Sequence, residues 1–281
     1  MLRCSTVPDS YMALSCAGDG PAVVLLHGIG GNRGQWGAQL SALAPSCALV
    51  AWDARGYGDS SGPPVRHIHD FADDLLWLLD TLGLERVIAV GHSMGGRILM
   101  EFCAQHSDRI GAMVLSGAQA SFLAHMDAAG QDAYIQKRRS LFDGDRVSLQ
   151  KARAVAAQVL PAGASSAATD RLARDFQQLR PDGYLAALNA SVGWDRSDLL
   201  PTLDMPVTVL GGALDTVCPP SECARIARLI GQGPAQILDG IGHMPQIEAP
   251  QIVTDYLRAF ITEHGHLADA LDTRLLQKEP Q

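Results

Sequence analysis

The run VIAVGHSMGGRILMEF, residues 87–102, restricts the fold more than any other part of the sequence. Four apolar residues end at a glycine, a serine follows within two positions, and a helical pattern begins at once. The central five residues fit G-x-S-x-G, a pattern that carries meaning only when a strand precedes it and a helix follows. Both are present here. A serine on so tight a strand-to-helix turn projects its hydroxyl from the carboxyl edge of a sheet, where a base and a substrate can reach it. Gly91 and Gly95 provide the room, since side chains there would meet neighbouring backbone.

The surrounding chain supplies that sheet. Short apolar runs alternate with helical spacing, the signature of βαβ units in a parallel sheet covered on both faces. Strands are predicted at 22–26 (AVVLL), 48–52 (ALVAW), 87–90, 112–115, 207–210 and 236–238, and helices at 35–44, 67–82, 94–106, 220–230 and 249–264. Between residues 121 and 194 the alternation stops and only helical patterns remain. The expected architecture is therefore α/β, with a mostly parallel central sheet, helices on both faces and an inserted helical cap. The core is predicted over 1–118 and 196–265 and the cap over 119–195, with a polar, frayed tail over 266–281.

A chain of 281 residues with 47% apolar content can bury a substantial core. Its formal net charge of -8 argues against nucleic acid or an anionic membrane as partner, because both attract basic surface. The amino-terminal residues lack the apolar segment of a signal peptide, and no stretch is long enough to span a bilayer. The expectation is a cytoplasmic protein acting on a small-molecule substrate, with a homodimer left open. Six cysteines without a CxxC pair suggest buried, reduced thiols rather than a disulfide framework or a metal site. No metal or organic cofactor is expected.

A serine hydroxyl needs a base to take its proton, and the base needs an orienting acid, each beyond a strand of its own. VTVLGG runs into Asp215, and QIL runs into the loop that carries His243. Asp239 lies nearer to His243 in sequence but shares its loop, so Asp215 is the favoured partner. The oxyanion donors are expected to be the backbone N–H groups of Met94, at the start of a helix, and of Ile29, in LLHGIGGN. His27 and His92 are read as loop braces, and Cys218 as packing. Arg33, Arg138, Arg139 and Arg196 could each meet a substrate carboxylate. Arg33, Trp36, Arg138 and Trp194 are the candidate substrate-binding residues.

HGIGGN, DARGYGDS (53–60), GHSMGG, GALD and GHMPQIEAP occur in the order and spacing of the α/β-hydrolase superfamily, which the chain resembles from about residue 22 to residue 259. In the second half, RPDGYLAALNASVGWDRSDLLPTLDMPVTVLGGALDTVCPP is similar to 3-oxoadipate enol-lactonases. The resemblance implies a serine hydrolase that cleaves an ester or lactone bond of a small molecule through an acyl-enzyme, with an enol-lactone or a carboxylate-bearing ester in a catabolic pathway as one such substrate. Carbon-carbon hydrolases of ring-cleavage products often carry tryptophan after the histidine, where this chain has Met244-Pro245. Other chemistries on the same scaffold are a carbon-carbon hydrolase, a cofactor-free oxygenase or a perhydrolase; a slow-turnover ligand receptor is the non-enzymatic alternative.

Overall fold

A computed structural model of the chain describes residues 3–6 and 11–273. The described residues contain nine strands: β1 (Arg3–Thr6), β2 (Ala13–Ala17), β3 (Asp19–Leu26), β4 (Ala48–Trp52), β5 (Val87–His92), β6 (Ile110–Ser116), β7 (Val207–Gly212), β8 (Gln236–Leu238) and β9 (Ala270–Asp272). Their order across the sheet is β1-β2-β4-β3-β5-β6-β7-β8, parallel from β4 to β8, with β1 and β2 antiparallel at one edge. This is the α/β-hydrolase arrangement.

The helices cover both faces because the strands are apolar on both. Val24 and Leu26 of β3 face one core with Val50 and Trp52 of β4, and Phe71, Leu75 and Leu78 of α2 (Ile68–Thr81) and Ile98 and Phe102 of α3 (Met94–His106) pack there. Val23 and Leu25 face the other core, which Leu40 and Leu43 of α1 (Gly37–Leu43) and Leu257 of α10 (Pro250–His264) complete. Burying each such side chain contributes about 1.5–3 kcal/mol. α8 (Pro220–Ile230) follows β7, and the one-turn α9 (Pro245–Glu248) precedes α10.

Between β6 and β7 lie four helices, α4 (Ala128–Arg139), α5 (Leu149–Val159), α6 (Ser166–Gln177) and α7 (Pro181–Ser191). Polar contacts tie this insertion to the loops at the carboxyl ends of the strands. Asp175 of α6 accepts from Asn32 at 3.1 Å and from Gln35 at 3.2 Å. Glu101 of α3 accepts from Trp194 Nε1 at 2.8 Å and Arg196 at 3.0 Å, and Arg180 donates to the Ser60 carbonyl. At Gly183 the insertion and the loop after β4 nearly touch: a Cβ there would lie 2.2 Å from the Gly56 carbonyl oxygen.

Three local expectations change. The helix placed over 35–44 begins instead with a 3-10 turn, Arg33–Trp36, capped by the Asn32 side chain, and becomes α-helical at Gly37. β2 went unpredicted because ALSCA lacks the branched residues that mark a strand, although it is buried against β4. The predicted frayed tail is ordered over its first part: β9 pairs antiparallel with β3, and Thr273 Oγ1 donates to the Gly18 carbonyl at 2.5 Å. The remainder, 274–281, lies outside the described residues. Among the described residues no helix is long and apolar enough to cross a membrane.

Candidate active site

The loops after β3, β5, β6, β7 and β8 all open on the same edge of the sheet. Ser93, directly after β5, has φ 51° and ψ -111°, a region that side-chain-bearing residues avoid at a cost on the order of 1–3 kcal/mol. The surrounding backbone holds it there. Ser93 N–H donates to the Ser116 carbonyl at 2.9 Å, and the Ser93 carbonyl accepts from Gly96 at 3.0 Å. The missing side chains at Gly91 and Gly95 allow the turn: a Cβ at Gly91 would lie 2.6 Å from the Gly95 carbonyl, and one at Gly95 2.4 Å from the Leu26 carbonyl oxygen.

Ser93 Oγ lies 3.1 Å from His243 Nε2, and His243 Nδ1 lies 2.7 Å from Asp215 Oδ2. The structure thus brings together the three side chains predicted from separate strand ends. An ionised carboxylate can only accept, so Nδ1 carries the proton, and Nε2 offers its lone pair to the serine hydroxyl. The second oxygen of Asp215 accepts the N–H groups of Val217 and Cys218, both at 2.8 Å, which fixes the carboxylate. Asp239 is exposed at the surface. Asp215 and His243 are 4% and 5% exposed, so bulk water does little to weaken their attraction.

Glu248 of α9, which sequence reasoning missed, steadies the His243 loop. One of its oxygens accepts from Gly242 N–H and the other from Met244 N–H, each at 2.8 Å. Burial pushes its carboxyl above the ordinary carboxylate range. Nothing in the sequence marks it except its nearness to His243.

The two proposed oxyanion donors flank the serine. Gly28 brings the loop after β3 so close that a Cβ would lie 3.0 Å from Ser93 Cβ, and Ile29 lines the cavity above the serine. Met94 N–H opens α3, whose dipole favours negative charge at that end. Among the described residues neither amide donates to a backbone carbonyl. His27 braces this loop: its Nδ1–H donates to the Gly28 carbonyl at 2.8 Å, and its Nε2 accepts from Ala54 N–H at 3.0 Å. Burial holds His27 below its usual pKa, and burial together with His243 holds His92 well below 6.5. The His92 ring lies 5.0 Å from that of His243, centroid to centroid.

A cavity between the elbow and the insertion is walled by Phe122, Tyr134, Val159, Phe176 and Tyr184, among others. Of the four candidate substrate contacts, only Arg138 lines it, with its guanidinium 4.8 Å from the centre of the Tyr134 ring. Arg33 is instead paired with Asp53 and Asp59, where it closes the DARGYGDS turn. Trp36 is 1% exposed in the core beneath α1, and Trp194 is bound to Glu101 at the end of the insertion. Arg139 is exposed and Arg196 pairs with Glu101. Cys218 packs with its sulfur 3.8 Å from that of Cys223, which together with burial pushes its thiol up.

One cavity residue had escaped attention. Arg97 of α3 is 3% exposed and lies 4.2 Å from the centre of the Phe122 ring, and burial lowers its guanidinium to about 10. The available signal was an arginine in a helical stretch whose other residues, 94–103, are all buried.

A family model described as the alpha/beta hydrolase fold matches residues 21–250, and the chain belongs to that family. A thermophilic esterase from Thermogutta terrifontis, solved with malate bound, is 27% identical; the match covers 94% of this chain and 99% of that one, with a TM-score of 0.81. 2-(acetamidomethylene)succinate hydrolase from Mesorhizobium japonicum is 26% identical over 255 residues, 87% of this chain and 89% of the relative. The enol-lactonase from Burkholderia xenovorans LB400 shares the fold, with a TM-score of 0.79 at 23% identity over 92% of this chain and all of its own.

Proposed function

We propose that the protein is a serine hydrolase that cleaves an ester or lactone bond of a small molecule through an acyl-enzyme. The hydrogen-bonded row from Ser93 through His243 to Asp215 carries this reading, and relatives named as an esterase and a hydrolase support it. Ser93 Oγ attacks the carbonyl carbon while His243 Nε2 takes its proton, and Asp215 stabilises the resulting imidazolium. Charge that develops on the carbonyl oxygen meets the N–H groups of Ile29 and Met94. His243 then gives its proton to the departing alcohol oxygen, and Ser93 keeps the acyl group. A water that loses its proton to His243 attacks the acyl carbon and frees the acid and the serine. The four inserted helices act as a cap that keeps bulk water from the intermediate and selects the substrate. The reaction takes place in the cytoplasm and calls on no metal or organic cofactor.

Turnover of short activated esters by the purified protein and by Ser93→Ala tests the proposal. The variant should lose at least about 10³-fold in kcat/KM with its circular dichroism unchanged. Full activity in Ser93→Ala overturns the assignment, and oxygen consumption in place of acid release moves the site to the cofactor-free oxygenases.

A further inference from the structure

Arg97 is a buried cation that no anion pairs with among the described residues. It sits four residues beyond Ser93 on α3, and helical side chains lean toward the helix amino terminus, so its guanidinium runs back toward the elbow and into the cavity. No hydrogen bond or ion pair joins it to another described residue, and its buried Nε–H has no acceptor. The Phe122 ring covers one face of the guanidinium, which leaves the in-plane N–H donors unspent.

The acids that could have served are committed elsewhere. Asp53 pairs with Arg33, Asp74 with Arg55, Glu101 with Arg196 and Asp215 with His243, while Asp175 accepts from Asn32 and Gln35. Arg138 is the second guanidinium of the cavity, and among the described residues no aspartate or glutamate lines it. In a chain of net charge -8, the space above Ser93 is locally positive. A buried charge without a partner costs free energy that packing does not return, so the missing partner belongs to a ligand.

We propose that Arg97, assisted by Arg138, binds a carboxylate of the substrate and makes the protein selective for monoesters or lactones of short dicarboxylic acids over neutral esters. The proposal rests on the hydrolase reading for the cleavage step, while the anion site stands on its own geometry.

Monomethyl succinate and monomethyl glutarate, compared with their neutral isosteres methyl 4-methylpentanoate and methyl 5-methylhexanoate, provide the test. The wild-type kcat/KM should favour the charged member of each pair by at least about tenfold, chiefly through KM. Arg97→Met should reduce that ratio by at least about tenfold, Arg97→Lys should restore part of it, and Arg138→Met should reduce it less. The second arm needs no turnover: calorimetry of Ser93→Ala with succinate and glutarate should show binding that Ser93→Ala/Arg97→Met lacks. Arg97→Met should melt no lower than the wild type, since it removes an uncompensated charge.

A wild-type enzyme that cleaves both esters without preference, or a ratio that Arg97→Met leaves unchanged, overturns the anion site and leaves the hydrolase standing. Arg97-dependent diacid binding with no ester cleavage overturns the hydrolase and leaves the anion site standing. Neither cleavage nor binding removes both.

Discussion

His243 Nδ1 stands 2.7 Å from Asp215 Oδ2, a contact between two residues 28 positions apart in the chain that follow the neighbouring strands β7 and β8. Asp215→Asn would place an N–H or a weaker carbonyl acceptor against Nδ1 and favour the wrong tautomer. The expected outcome is a fall in kcat of roughly 10³–10⁴-fold with KM little moved. Asp239→Asn, at the exposed neighbour on the His243 loop, should leave the rate at wild type. Steady-state kinetics of the two variants decide between the acids.

Glu248 should act on the rate through His243. Glu248→Ala strips the acceptors from Gly242 and Met244, leaving two partly buried N–H groups unpaired at about 1–3 kcal/mol each. The expected result is a lower melting temperature together with a fall in kcat at nearly constant KM. Glu248→Gln retains one acceptor and should lie between. A loss confined to KM would contradict a positioning role for this carboxylate.

The elbow glycines should tolerate no added methyl group. A Cβ at Gly95 would press on the Leu26 carbonyl, which is backbone and cannot rotate away. Gly95→Ala is expected to cost about 1–3 kcal/mol in urea unfolding and to lower activity in the protein that remains folded. Gly83→Ala, where a Cβ meets nothing within 4 Å but φ is 65°, gives a control for backbone strain alone.

Acid should weaken the fold through His27 and His92. Both are held below 6.5 when folded, so between their folded and unfolded pKa values the unfolded chain binds more protons, and stability rises with pH there. As pH falls below 6.5, each histidine should withdraw about 1.4 kcal/mol of stability per pH unit until its folded-state value is reached. Urea midpoints at pH 7.5, 6.5 and 5.5 for wild type and His92→Phe check the slope, which the variant should reduce by one proton.

The parallel core was legible because its strands are unbroken apolar runs and its helices keep a three-to-four spacing, both local properties. β2 and β9 were not, since ALSCA and ALD form strands only because β4 and β3 offer them an edge. The same division runs through the site. Ser93, Asp215 and His243 could be found because each follows its own strand, and strand ends share one edge. Which arginine reaches the cavity could not be read in that way. Arg33 and Arg138 look alike in sequence, yet Asp53 captures one while the insertion turns the other inward. Trp36 and Trp194 likewise went to packing and to Glu101, because their partners arrive from distant parts of the chain.

Leu26 and Gly91 sit opposite each other in the register of β3 and β5, and the Ile29 loop and Ser93 leave those strands a few residues later. The separation of the two loops where they leave the sheet is thus set by the spacing of adjacent strands, about 4.8 Å, a constant of the polypeptide backbone. The sheet serves as a gauge block. Substitutions in the helices over it can reshape the walls of the cavity without altering that strand spacing.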